Sequence, residues 1–202
     1  MQGWRKSNED AMIMETDIGD GNSLFAVFDG HGGEHVALFS KKHFVEILME
    51  NKNYKKGDYE MALKGAILRL DQKLLCQSGR DSLAEIIVEL KKTKRPKLSK
   101  STKFFEDKKI GGIPYHMGCV AIIVLITRDY IYAANLGDSR ATLAEKMSEN
   151  RIEIVEMSQD HKPSNAIEEE RIKAGGKWVV LNRIEGRISI ARAIGDWEYK
   201  DP

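Results

Sequence analysis

The chain has 202 residues, 42% of them hydrophobic and 31% charged, with Lys+Arg 32 set against Asp+Glu 31. That length is ample for a buried core, and the near-average composition excludes collagen-like, disordered and disulfide-scaffold classes. No apolar run approaches the roughly 20 residues of a membrane helix, the first residues lack the apolar stretch of a signal peptide, and Cys76 and Cys119 make no disulfide framework. The expectation is a soluble monomer of the cytoplasm or nucleus, with no membrane partner.

From Ala11 to Thr16 (AMIMET) and from Leu24 to Phe28 (LFAVF) the sequence predicts two antiparallel strands. The turn formers of Asp17 to Ser23 (DIGDGNS) join them. The same residues faintly resemble a calcium loop, but that pattern needs a Glu eleven residues after its first Asp, and Phe28 stands there. Apolar residues at helical spacing then predict helices over Glu34 to Met49 and Asp58 to Gln77, the second with Asp58 as N-cap. A short helical piece is expected over Ser82 to Leu90.

Residues 91–117 read as a loop insert, basic from Lys91 to Lys100 (KKTKRPKLSK) with six basic residues and no acid. The rest of the chain therefore carries a net −5, against +1 for the whole. Pro96 and the near-absence of apolar residues favour a solvated loop over a nucleic-acid-binding face, which would spread its charge over folded surface. Strands are predicted over Val120 to Thr127, Tyr130 to Asn135, Ala141 to Ala144 and Arg151 to Val155. A helix over Ala166 to Ala174 ends at Gly175-Gly176, and strands over Trp178 to Leu181 and Arg187 to Ile190 follow. The fold class is α+β, with antiparallel sheets rather than βαβ crossovers, and without a visible domain boundary.

Phe28-Asp29-Gly30-His31-Gly32-Gly33 closes the apolar second strand. A carboxylate followed by glycine offers a side-chain oxygen and an accessible backbone carbonyl, the ligands that Mg²⁺ and Mn²⁺ favour. His31 sits beside them. Upstream, Arg5 supplies a cation and Glu9-Asp10 two further carboxylates, which strand pairing would bring near Asp29. A cation and several carboxylates around one point suit metal-assisted chemistry on a phosphate ester. Gly137-Asp138-Ser139-Arg140 adds a third acidic turn.

The segments MQGWRKSNED, FAVFDGHGG, GCVAIIVLIT, YAANLGDSRA, SQDHKPSN, ERIKAGG and ARAIGDWEYK together resemble the metal-dependent serine/threonine protein phosphatases, the PPM or type 2C family. They stand in the order seen in that family, and the resemblance covers the chain as a single domain except roughly Leu74 to Met117. It implies a β-sandwich of two antiparallel sheets flanked by helices, a four-layer αββα arrangement. It implies a two-metal site for Mn²⁺ or Mg²⁺, with a third, weaker ion, and phosphoserine or phosphothreonine proteins as substrates. By the resemblance, Arg5 binds phosphate, and Glu9 and Asp10 form the acidic pair at the metal cluster. Asp29 bridges the two ions, the Gly30 carbonyl ligates one, and Asp138 serves the additional ion. His31 protonates the departing serine or threonine oxygen, and water activated by the ions is the nucleophile. Arg192 matches a family motif without an assignable chemical step.

Departures set expectations too. Relatives continue beyond the ARAIGDWEYK motif with two further metal-ligand aspartates, so the 202-residue chain is expected to be incomplete at its C-terminus and to have little activity of its own. Val120, Ala191 and Glu185 replace a usual threonine, serine and asparagine. Two other functions compete: a non-catalytic pseudophosphatase that binds partners through the same scaffold, and a nucleic-acid-binding protein favoured only by the basic insert. Other phosphatase chemistries fit poorly. Six positions after Cys119 and Cys76 stand Leu125 and Ser82 rather than arginine, and His31 occupies the second aspartate position of an Asp-x-Asp start.

Overall fold

A computed structural model describes residues 2–5, 7–93, 109–110, 113–114 and 116–200. The chain divides into two compact units, one built from Met1–Ala11, Phe28–Cys119 and Ile194–Asp201, the other from Met12–Val27 and Val120–Ala193. Strands β1 (Asp10–Glu15), β2 (Ser23–His31) and β5 (Gly118–Ile126) contribute residues to both.

Their order in the sheet is β1-β2-β5-β11, with β6 (Ile131–Leu136) also on β5 and β11 being Ile194–Gly195. The β5–β6 pairing is antiparallel from Ala121↔Leu136 to Ile126↔Ile131, and β11 is antiparallel to the start of β5. Leu24, Ala26, Phe28 and Gly30 are buried at period two along β2, so Val27 and Asp29 face the exposed side. Along β5, residues Gly118 to Ile123 are all buried, as an unbroken apolar run predicts for a central strand.

Among the described residues, three α-helices belong to the first unit. α1 (His35–Glu50) buries Val36, Ala37, Phe39, Phe44, Ile47 and Leu48, and α2 (Tyr59–Leu75) buries Ala62, Leu63, Ala66, Leu70 and Leu74. The stripes at i, i+3, i+4 predicted from sequence are these faces. Asp58 caps α2 by accepting the Met61 N–H at 3.3 Å. Phe28 and Phe44 meet edge to face at 6.0 Å and are fully buried, each worth roughly 1.5–3 kcal/mol of apolar burial.

α3 (Gln77–Thr93) is longer at both ends than the sequence predicts. Gln77, expected at the end of the second helix, instead opens α3 after α2 stops at Leu75, and it bonds Asp81 at 2.8 Å while Arg80 bonds it at 3.1 Å along that turn. Lys91 and Lys92, expected in the basic loop, lie in its last turn, where cations complement the helix dipole. Antiparallel pairing of β3 (Lys109–Ile110) with β4 (Ile113–Pro114) also stands where loop is expected. The remainder of the insert, 94–108, 111–112 and 115, lies outside the described residues.

In the second unit, β7 (Thr142–Ser148) and β8 (Arg151–Glu156) form an antiparallel pair with a register shift between Lys146 and Ser148. α4 (Ala166–Ala174) has the predicted bounds, with Glu168 and Glu169 in its first turn and Arg171 and Lys173 in its last. β9 (Val179–Val180) pairs with β10 (Arg183–Ile184), while the strand expected over Arg187 to Ile190 does not form, Ile188 making only an isolated bridge to Ile184. The intervening Leu181 and Asn182 both have positive φ, 50° and 57°, the backbone of a two-residue hairpin turn. Leu-Asn lacks the glycine that usually announces such a turn.

Candidate functional site

The first unit contains an open cleft of about 520 Å³, lined by Trp4, Arg5, Glu9, Asp10, Asp29 and Gly30 among others. Five of the seven residues singled out from the sequence thus line one concavity. Strand pleat explains the pair of aspartates: Ala11, Ile13, Phe28 and Gly30 are buried, and Asp10 and Asp29 alternate with them to the exposed side. Arg5 is exposed and Glu9 half-buried.

Gly30 is required there. A Cβ on it would lie 2.6 Å from the Glu9 carbonyl oxygen and 3.1 Å from that of Gly33, so only glycine lets the strand ends approach this closely. Beyond it, Gly32 turns the chain at φ +68°, where a Cβ would lie 2.6 Å from the His116 carbonyl oxygen.

Carboxylates plus a backbone carbonyl suit a hard divalent cation in kind. In number they fall short: among the described residues, no three of His, Cys, Asp and Glu stand close enough to hold an ion by themselves.

His31 does not line the cleft; its ring is engaged by a residue that the sequence left without a role. Nε2 of His31 stands 2.7 Å from Oδ2 of Asp196. Asp196 is buried, 4% exposed, at φ 51° and ψ 45°, a left-handed conformation that aspartate and asparagine adopt more readily than most residues. Its N–H donates to the Met117 carbonyl at 3.0 Å. The preceding Gly195 N–H donates to Asp71 at 2.8 Å, and Lys200 donates to both Asp71 oxygens at 2.9 Å. Lys200 also lies over the Trp197 ring at 4.9 Å. Gly118 on β5 makes room for the pair, since a Cβ there would lie 2.6 Å from His31 Nε2 and 2.7 Å from the Asp196 carboxylate. The Gly-Asp of ARAIGD was the available signal, an acid at the end of a short apolar run; its partner 165 residues away was not.

Asp138 belongs to the second unit, in the turn after β6. Its carboxylate accepts from the Lys162 ammonium, and Arg140 beside it forks onto Asp160 at 2.7 and 3.0 Å. The Arg140 hydrogen bond lowers the Asp160 pKa, against the opposing pull of burial.

Arg192 has a structural account. Glu168, on α4 and only 3% exposed, receives Arg192 Nε at 3.0 Å and Nη2 at 2.6 Å. Arg171 adds a second cation at 2.8 Å and ties the Ala191 carbonyl at 2.6 Å. Burial pushes the Glu168 pKa up, but the hydrogen bonds from Arg192 and Arg171 outweigh it and the net shift is down.

The family model described as Protein phosphatase 2C matches residues 1–202. Protein phosphatase 2C 1 of Paramecium tetraurelia is 40% identical over 200 residues, covering 99% of this chain and 58% of the relative. A probable protein phosphatase 2C 21 of Arabidopsis thaliana is 33% identical over 214 residues, covering 99% of this chain and 59% of the relative. The chain thus spans less than two thirds of these relatives' length. Among solved structures, a serine-threonine phosphatase 2C of Toxoplasma gondii superposes with TM-score 0.68 at 16% identity, covering 97% of this chain and 66% of that one. At that identity the likeness concerns the fold, and it carries the α+β class expected from the sequence, antiparallel sheets with helices.

Proposed function

This chain belongs to the protein phosphatase 2C family, and from that premise we propose that the protein hydrolyses phosphoserine and phosphothreonine esters of other proteins with Mn²⁺ or Mg²⁺. The supporting observation is the cleft in which Arg5 shares a wall with Glu9, Asp10, Asp29 and the Gly30 carbonyl. A planar guanidinium grips two phosphate oxygens at once, so Arg5 orients the ester. Asp29 and the Gly30 carbonyl would hold the divalent ions, with Glu9 and Asp10 adding negative charge around them. The ions, when bound, polarise the phosphate and supply a water-derived nucleophile near neutral pH. His31 donates a proton to the departing serine or threonine oxygen. Asp138 would hold an additional, weaker ion in place of its contact with Lys162.

The test is hydrolysis of a phosphothreonine peptide by the protein at its full encoded length, in millimolar Mn²⁺. Turnover that falls at least about 100-fold in Asp29→Ala is expected, within the range that a removed charge-stabilising group costs. Turnover indifferent to Asp29→Ala would overturn the reading. Retained Mn²⁺ binding without turnover in the unmutated protein would replace it with the pseudophosphatase reading.

A further inference from the structure

We propose that Asp196 is the positioning residue of His31: its buried carboxylate fixes the imidazole so that Nε2 carries a hydrogen toward Asp196 and Nδ1 is the nitrogen left to serve the leaving group. The inference rests on the reading of His31 as proton donor, and it adds which ring atom acts and what holds it.

A carboxylate only accepts hydrogen bonds, so an imidazole nitrogen 2.7 Å from one carries the hydrogen. The other ring nitrogen is then the variable one, bearing a proton before transfer and a lone pair after it. During transfer, water's oxygen bonds to phosphorus, and the electron pair of the breaking P–O bond stays on the serine or threonine oxygen. That oxygen takes the Nδ1 proton, the ring is left as the Nε2–H tautomer on Asp196, and solvent restores the proton.

Three features show that this pair is built rather than incidental. Asp196 is 4% exposed, so its charge is sheltered from water and acts on the ring in a low local dielectric. Its backbone is left-handed, a conformation that costs free energy and persists where neighbouring structure enforces it. The enforcement is visible: β11 pairs with the start of β5, Met117 accepts the Asp196 N–H, and Asp71, clamped by Lys200, holds the Gly195 N–H. Gly118 supplies the third feature, since any side chain there would occupy the space of the His31–Asp196 hydrogen bond. A histidine on a strand end held by an aspartate from a distant segment is oriented more tightly than its own two torsions allow, and orientation is what general-acid transfer requires.

Two measurements test this. In the ¹⁵N-histidine-labelled chain, above the pH range of imidazole titration and with His31→Gln to assign the resonance, the His31 ring is expected in the Nε2–H form. The Asp196→Asn variant, whose residue tolerates the left-handed backbone, is expected to show a mixture of both tautomers. A dominant Nδ1–H form, or no change in Asp196→Asn, overturns the proposal. At full encoded length, Asp196→Asn is expected to lower kcat on a phosphoserine peptide about 10- to 100-fold, part of the roughly 10²–10⁴-fold a positioned acid contributes, with KM unchanged. On p-nitrophenyl phosphate, whose leaving group needs no proton, the loss is expected to stay under about threefold. Equal losses on the two substrates would mean that Asp196 acts through general structure, and would sink the proposal. Absence of turnover on either substrate in the unmutated protein would overturn the phosphatase reading instead, while the ring tautomer still decides the Asp196–His31 assignment.

Discussion

The charge clusters around Glu168 and around Asp29, one in each unit, are built on opposite principles. Around Glu168 in the second unit, a buried carboxylate meets Arg192 and Arg171 in short, forked hydrogen bonds. Around Asp29 in the first, two exposed aspartates and a half-buried glutamate line an open cleft with Arg5. A closed cluster with its charges matched inside the chain holds segments together; here Arg171 and Arg192 tie α4 to the stretch from Ala191 to Arg192. An open cluster rich in carboxylates invites a cation from outside. Sequence alone singles out the cleft residues, leaves Arg192 without a chemical step and does not pick out Glu168.

The contrast breaks if stability and activity fail to separate. Arg192→Met is expected to cost about 3 kcal/mol, the low end of the range for breaking a buried pair, because Arg171 still faces Glu168. Asp29→Ala, an exposed change, is expected to leave the urea midpoint within about 0.5 kcal/mol of the original while removing Mn²⁺ binding and turnover. A midpoint lowered as much by Asp29→Ala as by Arg192→Met would make the cleft a structural cluster as well.

Gly30→Ala probes the scaffold beneath the open cluster. Its Cβ would meet the backbone oxygens of Glu9 and Gly33 rather than a movable side chain, so an overpacking cost of about 1–3 kcal/mol is expected in urea unfolding, with weaker Mn²⁺ binding by calorimetry. An unchanged midpoint would show that β1 and β2 do not need glycine at this crossing.

Acid sharpens the comparison from the other side. The folded-state pKa of Glu168 lies below its ordinary value of 4.5. Such a group contributes stability above the unfolded pKa and loses it as pH falls through the folded one. The urea midpoint is therefore expected to fall as pH is lowered below about 4.5, and the fall should be smaller in Glu168→Gln. An identical acid profile in the variant would remove Glu168 from the account.

How much of this was legible beforehand follows from range. The helices over Glu34 to Met49 and Asp58 to Gln77 could be read from spacing because burial imposes a local period. The cleft residues could be read because Arg5, Glu9 and Asp10 precede the strand that pairs beside Asp29, a short hairpin away. Asp196 could not be given its role, since a two-residue strand has no period and the ring it holds is 165 residues distant. Leu181 and Asn182 defeat local reading differently: asparagine tolerates positive φ, but the leucine before it is not a residue that announces such a turn.

The smallest expected effect concerns the two thiols, which repeat the open and closed contrast at single residues. Cys119, under the His31–Asp196 pair on β5, is fully buried beside Ser40 at 3.5 Å, and burial pushes its pKa up to about 12. Cys76, at the end of α2, is exposed, and its bond to the Ser78 hydroxyl lowers its pKa. Thiolate, not thiol, reacts with iodoacetamide. Peptide mapping after alkylation of the folded chain near pH 7.5 is expected to find Cys76 modified and Cys119 untouched until denaturant is added, with no change in the urea midpoint after Cys76 is capped. Labelling of Cys119 in the folded chain would mean that the strand carrying Gly118 opens to solvent, and the floor on which His31 meets Asp196 would then be too mobile to fix a ring.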